Sequence, residues 1–179
     1  NGAQKRDMVG RYNKRGLCAM YVIRDDDTGK VVGCVGADVQ TFKGTVPVKR
    51  ATDATKGEVA DRPVIANLAT APAARRRGLA KKLMARIEEE CKEWGFEEAV
   101  LVVEANNSKA RSLYSKLGYK AIGGEPDTPN IVIDRETGKV VNWAVKTVFM
   151  RKSLKEGAVG VLENIDVTKL VGVGASVAA

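Results

Sequence analysis

"APAARRRGLAKKLMARIEEECKEWG", residues 71–95, decides the fold. Three arginines run into Gly78, and a helix follows at once with Lys81 and Lys82 in its first turn. Leu79, Ala80, Leu83, Met84, Ile87, Cys91 and Trp94 recur at helical spacing, which predicts one apolar face from Gly78 to Trp94. Gly95 supplies the stop. The first N–H groups of a helix lack intrahelical partners and carry the positive end of its dipole, so they can bind phosphate oxygens. Gly78 and the small Ala80 would admit such oxygens to the backbone, with Arg75, Arg76, Arg77, Lys81 and Lys82 adding charge. Read alone, the turn fits either a phosphate cradle or a solvated basic helix start.

Working outward, "PVIANLATA" (63–71) is uncharged and predicts a strand buried on both faces, ended by Pro72. Upstream, "CAMYVIRD" (18–25) and "VVGCVGADVQTF" (31–42) predict a hairpin across the turn "DDTGK". The charged stretch 43–62 reads as a long loop. Downstream, "EEAVLVVEA" (97–105) reads as a strand. "NNSKARSLYSKLG" (106–118) reads as a helix capped by Asn107 and ended by Gly118, with Ala110, Leu113, Tyr114 and Leu117 on one side. A short strand at "YKAIGG", a turn-rich excursion over 125–143 and a last strand over 143–154 complete the pattern. Strands alternating with helices imply an α/β layer around a mixed sheet.

Composition removes several chemistries. The 179 residues contain no histidine, which excludes His triads, His general bases and His metal sites. Cys18, Cys34 and Cys91 are widely spaced, without a CxxC pair, and read as core residues of a reducing compartment. No run approaches the roughly 18 apolar residues of a membrane span. The net charge of +8 favours an anionic ligand, but no stacking-aromatic motif points to a specific nucleic acid. Neither a Walker loop nor a three-glycine dinucleotide fingerprint is present.

Two motifs together narrow the reading. "RRRGLA" fits R/Q-x-x-G-x-G/A, and "NNSKARSLYSKLGYKAIG" resembles N-x-x-A-x-x-L-Y-x-K-x-G-F/Y. In this order and spacing they resemble the GNAT superfamily of acetyl-CoA-dependent N-acetyltransferases, over residues 18–152. The resemblance implies an α/β GNAT fold, with a mixed, mostly antiparallel central sheet flanked by helices. It also implies acetyl-CoA as cosubstrate, no metal, and transfer of acetyl to a primary amine on a protein N-terminus, a lysine or a small molecule. The backbone of Arg76, Arg77, Gly78, Leu79 and Ala80 would hold the pyrophosphate, with Arg75 beside them. Leu68 and Thr70 would pair with the pantetheine arm, and Asn107 would contact the coenzyme. Tyr114 matches the tyrosine that protonates the departing thiolate, although its place on an amphipathic face also suits a core residue.

Other positions depart from the family. The base glutamate of many members falls at Val64, and that of others at Val102. Glu104, two residues beyond Val102 and on the same strand face, is the best remaining base candidate, ahead of Glu58 and Asp61. Residues 1–17 are too few for the usual N-terminal strand and helices, and the start at Asn1 suggests a processed form or a fragment. The expected organisation is an N-terminal segment (1–17), the GNAT domain (18–154) and an apolar tail (155–179). Within that tail, 156–179 is uncharged beyond Lys169 and valine-rich, which suggests docking on another protein rather than packing on its own domain. A likeness to plastid members implies a plastid stroma. The rival function is a non-catalytic GNAT-fold subunit of a larger assembly.

Overall fold

A computed structural model of the chain describes residues 16–44, 46–47, 59–125, 127–133, 140–155 and 167–172. It divides into two compact units. One holds the described residues up to Ala99 and from Ser153 onward, and the other is Val100–Lys152.

In the first unit the apolar runs become an antiparallel hairpin, β1 (Cys18–Arg24) and β2 (Val31–Lys43). Its turn is fastened by Asp25, whose carboxylate accepts from the amide and hydroxyl of Thr28 at 3.0 and 2.8 Å. Those bonds hold the Asp25 carboxyl below its ordinary value. The short β3 (Val46–Pro47) and the long β4 (Val59–Thr70) pair with β2. β4 begins four residues before the expected strand, because Val59–Arg62 pair with Gln40–Lys43 despite their charges. Those charges find partners on the strand surface: Thr41 donates to Asp61 at 2.7 Å, and Arg62 meets Glu98 at 2.8 Å. Glu58 lies outside the described residues. β4 is not buried on both faces throughout. Only Pro63, Val64 and Ile65 are buried, while Ala66–Thr70 alternate between half-buried and exposed.

Helix α1 (Leu79–Glu93) lies against β1, β2 and β4. Leu79, Leu83, Met84, Ile87 and Cys91 are buried on its inner face, as the spacing predicts, each large side chain contributing about 1.5–3 kcal/mol. Gly33 allows the close approach: a Cβ there would meet Leu83 Cδ1 at 3.0 Å and the Ala69 carbonyl at 3.3 Å. A polar anchor joins the same face. The buried Tyr21 hydroxyl donates to buried Glu90, and the Arg86 guanidinium lies 4.6 Å from the Tyr21 ring and 3.3 Å from the Glu90 carboxylate. Burial and the neighbouring carboxylate push the Tyr21 phenol well above its ordinary value.

The tail departs from expectation. Val167–Gly172 form β10, antiparallel to β1, so the order in this unit is β10-β1-β2-β4. Every residue of β1 from Cys18 to Ile23 is buried, and Val167–Gly172 pack on the chain's own domain, while the rest of the tail lies outside the described residues. The ladder slips between Met20 and Tyr21, leaving a bulge at Leu170 next to Lys169. A bulge is a device that discourages further pairing on an edge strand.

In the second unit, Val100–Glu104 of β5 (Glu98–Glu104) neighbour β9 (Thr147–Ser153), which pairs with β6 (Lys120–Gly123). Between β5 and β6 runs α2 (Ser108–Lys116). The stretch expected to be a turn-rich excursion contains a second sheet, β7 (Thr128–Ile133) paired with β8 (Val140–Val145). The expected last strand is broken at Lys146, whose carbonyl accepts from Ala105 N–H at 2.8 Å, while Thr147 N–H donates to the Glu125 carbonyl at 2.8 Å. No helix among the described residues is long and apolar enough to cross a membrane.

Candidate active site

The turn between β4 and α1, residues 71–78, is built by backbone sign changes. β4 ends where Ala71 N–H donates to Val32 at 2.8 Å, and a single 3-10 turn follows at Pro72–Ala74. Arg75 is extended, Arg76 has φ 65°, Arg77 returns to negative φ, and Gly78 has φ 78°. Alternating backbone signs of this kind turn successive N–H groups toward one concave point, a known anion-binding arrangement. Buried Ala74 and Leu79 pin the loop at either end.

The hydrogen-bond accounting agrees. Arg75 N–H donates to Pro72, and Lys81 and Lys82 N–H both donate to Gly78. The five amides between them, Arg76 to Ala80, find no acceptor among the described residues. Gly78 stands at the N-cap position, where a Ser or Asp side chain would ordinarily satisfy such donors, and it cannot. A Cβ at Gly78 would meet nothing within 4 Å, so the space beside these donors is open. Arg75, Arg76, Arg77 and Lys81 are exposed around it. The residues present therefore fit a pyrophosphate.

Leu68 and Thr70 are half-buried near the end of β4. Thr70 lies opposite Gly33 in the ladder with β2. Leu68 belongs to a feature that sequence reasoning missed. Between Ala66 and Ala69, β4 has one residue more than β2 has between Cys34 and Gly36, and Asn67 takes φ 57°. This is a β-bulge, which re-aims a strand's peptide groups and is common beside active sites. The Cys34 thiol donates to the Asn67 carbonyl at 3.3 Å. The signal was in the sequence: Asn is depleted in strands and is among the few non-glycine residues that enter the left-handed region.

The second unit holds the remaining candidates. Asn107 caps α2, its side-chain oxygen accepting from Ala110 N–H at 3.1 Å. Tyr114 is half-buried on α2, and burial raises its phenol above the ordinary value. Its hydroxyl bonds no described residue. The ring contacts Tyr119 edge-on, centroids 6.0 Å apart at 65°. Glu104 ends β5, half-buried, on the face that leaves Val102 exposed. Its carbonyl accepts from Asn107 N–H at 3.0 Å. In the first unit Val64 is buried, and Asp61 is engaged by Thr41.

Comparison with known proteins gives the family and the fold. The model of the acetyltransferase (GNAT) family matches residues 4–119. No curated protein sequence matches the chain. Among solved structures, Chaetomium thermophilum Naa20 in complex with a bisubstrate analogue is similar, with TM-score 0.57 and 20% identity over 75% of this chain. The match spans 65% of that protein's own length. An IAA acetyltransferase from Bacillus cereus matches with TM-score 0.55 and 20% identity, covering 82% of this chain and 83% of that one. A Bacillus subtilis acetyltransferase in complex with CoA matches with TM-score 0.54 and 16% identity over 84% of each chain. At these identities the likeness is one of fold. With the family model covering most of the chain, the conclusion is that it belongs to the acetyltransferase (GNAT) family and has the GNAT fold.

Proposed function

We propose that the chain is an N-acetyltransferase that moves the acetyl group of acetyl-CoA to a primary amine on a protein N-terminus or a lysine. The observation that carries this reading is the run of five unbonded amides at Arg76–Ala80, left open by a glycine where a capping side chain would normally stand. Acetyl-CoA supplies the thioester: the amine nitrogen bonds to the acetyl carbon, the carbon–sulfur bond breaks, and the products are an amide and the free thiol. The cradle amides and surrounding arginines would hold the pyrophosphate, Leu68 and Thr70 the pantetheine arm, and Asn107 would add a contact to the coenzyme. Tyr114, whose phenol burial raises further above neutrality, would give its proton to the departing sulfur and regain one from solvent. Glu104 would accept the proton lost by the amine.

The rival, a non-catalytic subunit of a larger assembly, draws on the valines at positions 64 and 102, where related enzymes carry a carboxylate. One assay separates the two. The chain is incubated with acetyl-CoA and libraries of peptides bearing free N-terminal and lysine amines, and the products are read by intact mass. Gain of one acetyl group, dependent on the chain, supports the enzyme. Saturable acetyl-CoA binding without any transfer supports the subunit.

A further inference from the structure

Tyr114 presents a positioning problem. A proton donor must point at its acceptor, yet the Tyr114 hydroxyl has no hydrogen-bond partner among the described residues to fix its direction. Its helix gives limited help, since no residue of α2 is fully buried. The ring can instead be held by its flank, where Tyr119 meets it edge-on.

Tyr119 is well placed to hold it. Gly118, at φ 93°, reverses the chain after α2, so that Tyr119 N–H donates back to the Tyr114 carbonyl at 3.0 Å. The Tyr119 ring is 2% exposed and meets the Tyr114 ring in the edge-to-face geometry that aromatic quadrupoles favour. Lys152 of β9 places its ammonium 5.7 Å from the centroid of the Tyr119 ring. Its stem runs along the turn: a Cβ on Gly118 would lie 3.7 Å from Lys152 Cε and 3.9 Å from Cδ. The adjacent ladder pair Lys120↔Arg151 fixes β9 at this register.

We propose that Tyr119, clamped by Lys152, is a positioning residue that holds the Tyr114 ring in the orientation from which its phenol delivers a proton. The inference rests on the acetyltransferase reading, with Tyr114 as acid. Tyr119 itself touches no reacting atom in this scheme.

The test is a double-mutant cycle on acetyl transfer from acetyl-CoA to the peptide that gains an acetyl group in the mass assay. Tyr119→Leu should lower kcat roughly three- to tenfold, the scale of an aromatic edge contact. The KM and Kd for acetyl-CoA should stay unchanged, and Tyr119→Phe, which keeps the ring, should restore kcat. In a Tyr114→Phe background Tyr119→Leu should have no further effect, because the group it positions is gone. Lys152→Met, which retains most of the stem, gives the same pattern at about twofold and serves if Tyr119→Leu does not fold. Without any coenzyme, NMR of the labelled Tyr114 ring should show faster flips in Tyr119→Leu. Equal losses in both backgrounds, or an unchanged kcat, would show that Tyr119 only packs the core and overturns the inference while leaving the acid in place. Wild-type turnover in Tyr114→Phe alone, or no acetylation of any peptide, overturns the reading beneath it.

Discussion

Replacing Gly78 by isoleucine separates the cost of backbone shape from the cost of a blocked ligand. Gly78 adopts φ 78°, a region that β-branched residues avoid, so the substitution should strain the free protein by about 1–3 kcal/mol. No steric clash adds to this, because a Cβ there meets nothing within 4 Å. For a chain of this size the strain corresponds to a melting temperature lower by about 2–10 °C. The ligand effect is distinct. The branched side chain would fill the open space beside the Arg76–Ala80 amides and deny the pyrophosphate one or more charge-assisted hydrogen bonds. Each is worth about 1.5–3 kcal/mol, so the Kd for acetyl-CoA should rise roughly 10- to 100-fold. Calorimetry on the folded variant measures this directly, and Gly78→Ala, strained but unbranched, should lose less affinity. An acetyl thioester of pantetheine, which lacks the pyrophosphate, should bind Gly78→Ile and the natural chain equally well. Undiminished acetyl-CoA affinity in folded Gly78→Ile would refute the reasoning.

Other perturbations probe other parts of the account. Tyr114→Phe should lower kcat about 10- to 100-fold with acetyl-CoA affinity nearly unchanged, as expected of a group acting in the transition state. Burial keeps the Tyr114 phenol protonated beyond its ordinary range, so kcat should hold at alkaline pH and fall only above the usual phenol value, a limb that Tyr114→Phe lacks. Deleting 156–179 removes β10 from the edge of β1. Losing even two or three net hydrogen bonds there should lower the melting temperature by about 5–10 °C, whereas an unchanged value would return the tail to the status of a free appendage. Tyr21→Phe removes the hydroxyl that donates to buried Glu90 and should cost about 1–3 kcal/mol in urea unfolding without altering acetyl-CoA affinity.

The parts of the fold legible in the sequence are those set by local chemistry. Gly95 and Gly118 take the left-handed φ that ends each helix, at 87° and 93°. Asn107 caps α2 with its own side chain, and the apolar spacing from Leu79 to Cys91 becomes the buried face of α1. The open amides of the Gly78 turn were legible for the same reason, since a glycine at a helix start with no capping side chain is a local arrangement. What escaped depends on partners distant in sequence. Val167–Gly172 reads equally as a loose apolar tail or a strand, and only β1, some 150 residues earlier, decides between them. Val59–Arg62 reads as loop from its charge, but Thr41 and Glu98 supply partners for Asp61 and Arg62. The bulge at Asn67 lies in an uncharged run whose hydrophobicity carries no information on backbone tolerance.

The central claim is that Arg76–Ala80 form a pyrophosphate cradle for acetyl-CoA, and an amide-resolved NMR titration tests it most directly. As unlabelled acetyl-CoA is added to the 15N-labelled chain, the amides of Arg76, Arg77, Gly78, Leu79 and Ala80 should show large, saturable shifts. Pantetheine acetyl thioester should leave those five amides nearly still. Saturable binding that passes these amides by, or no binding at all, would contradict the account.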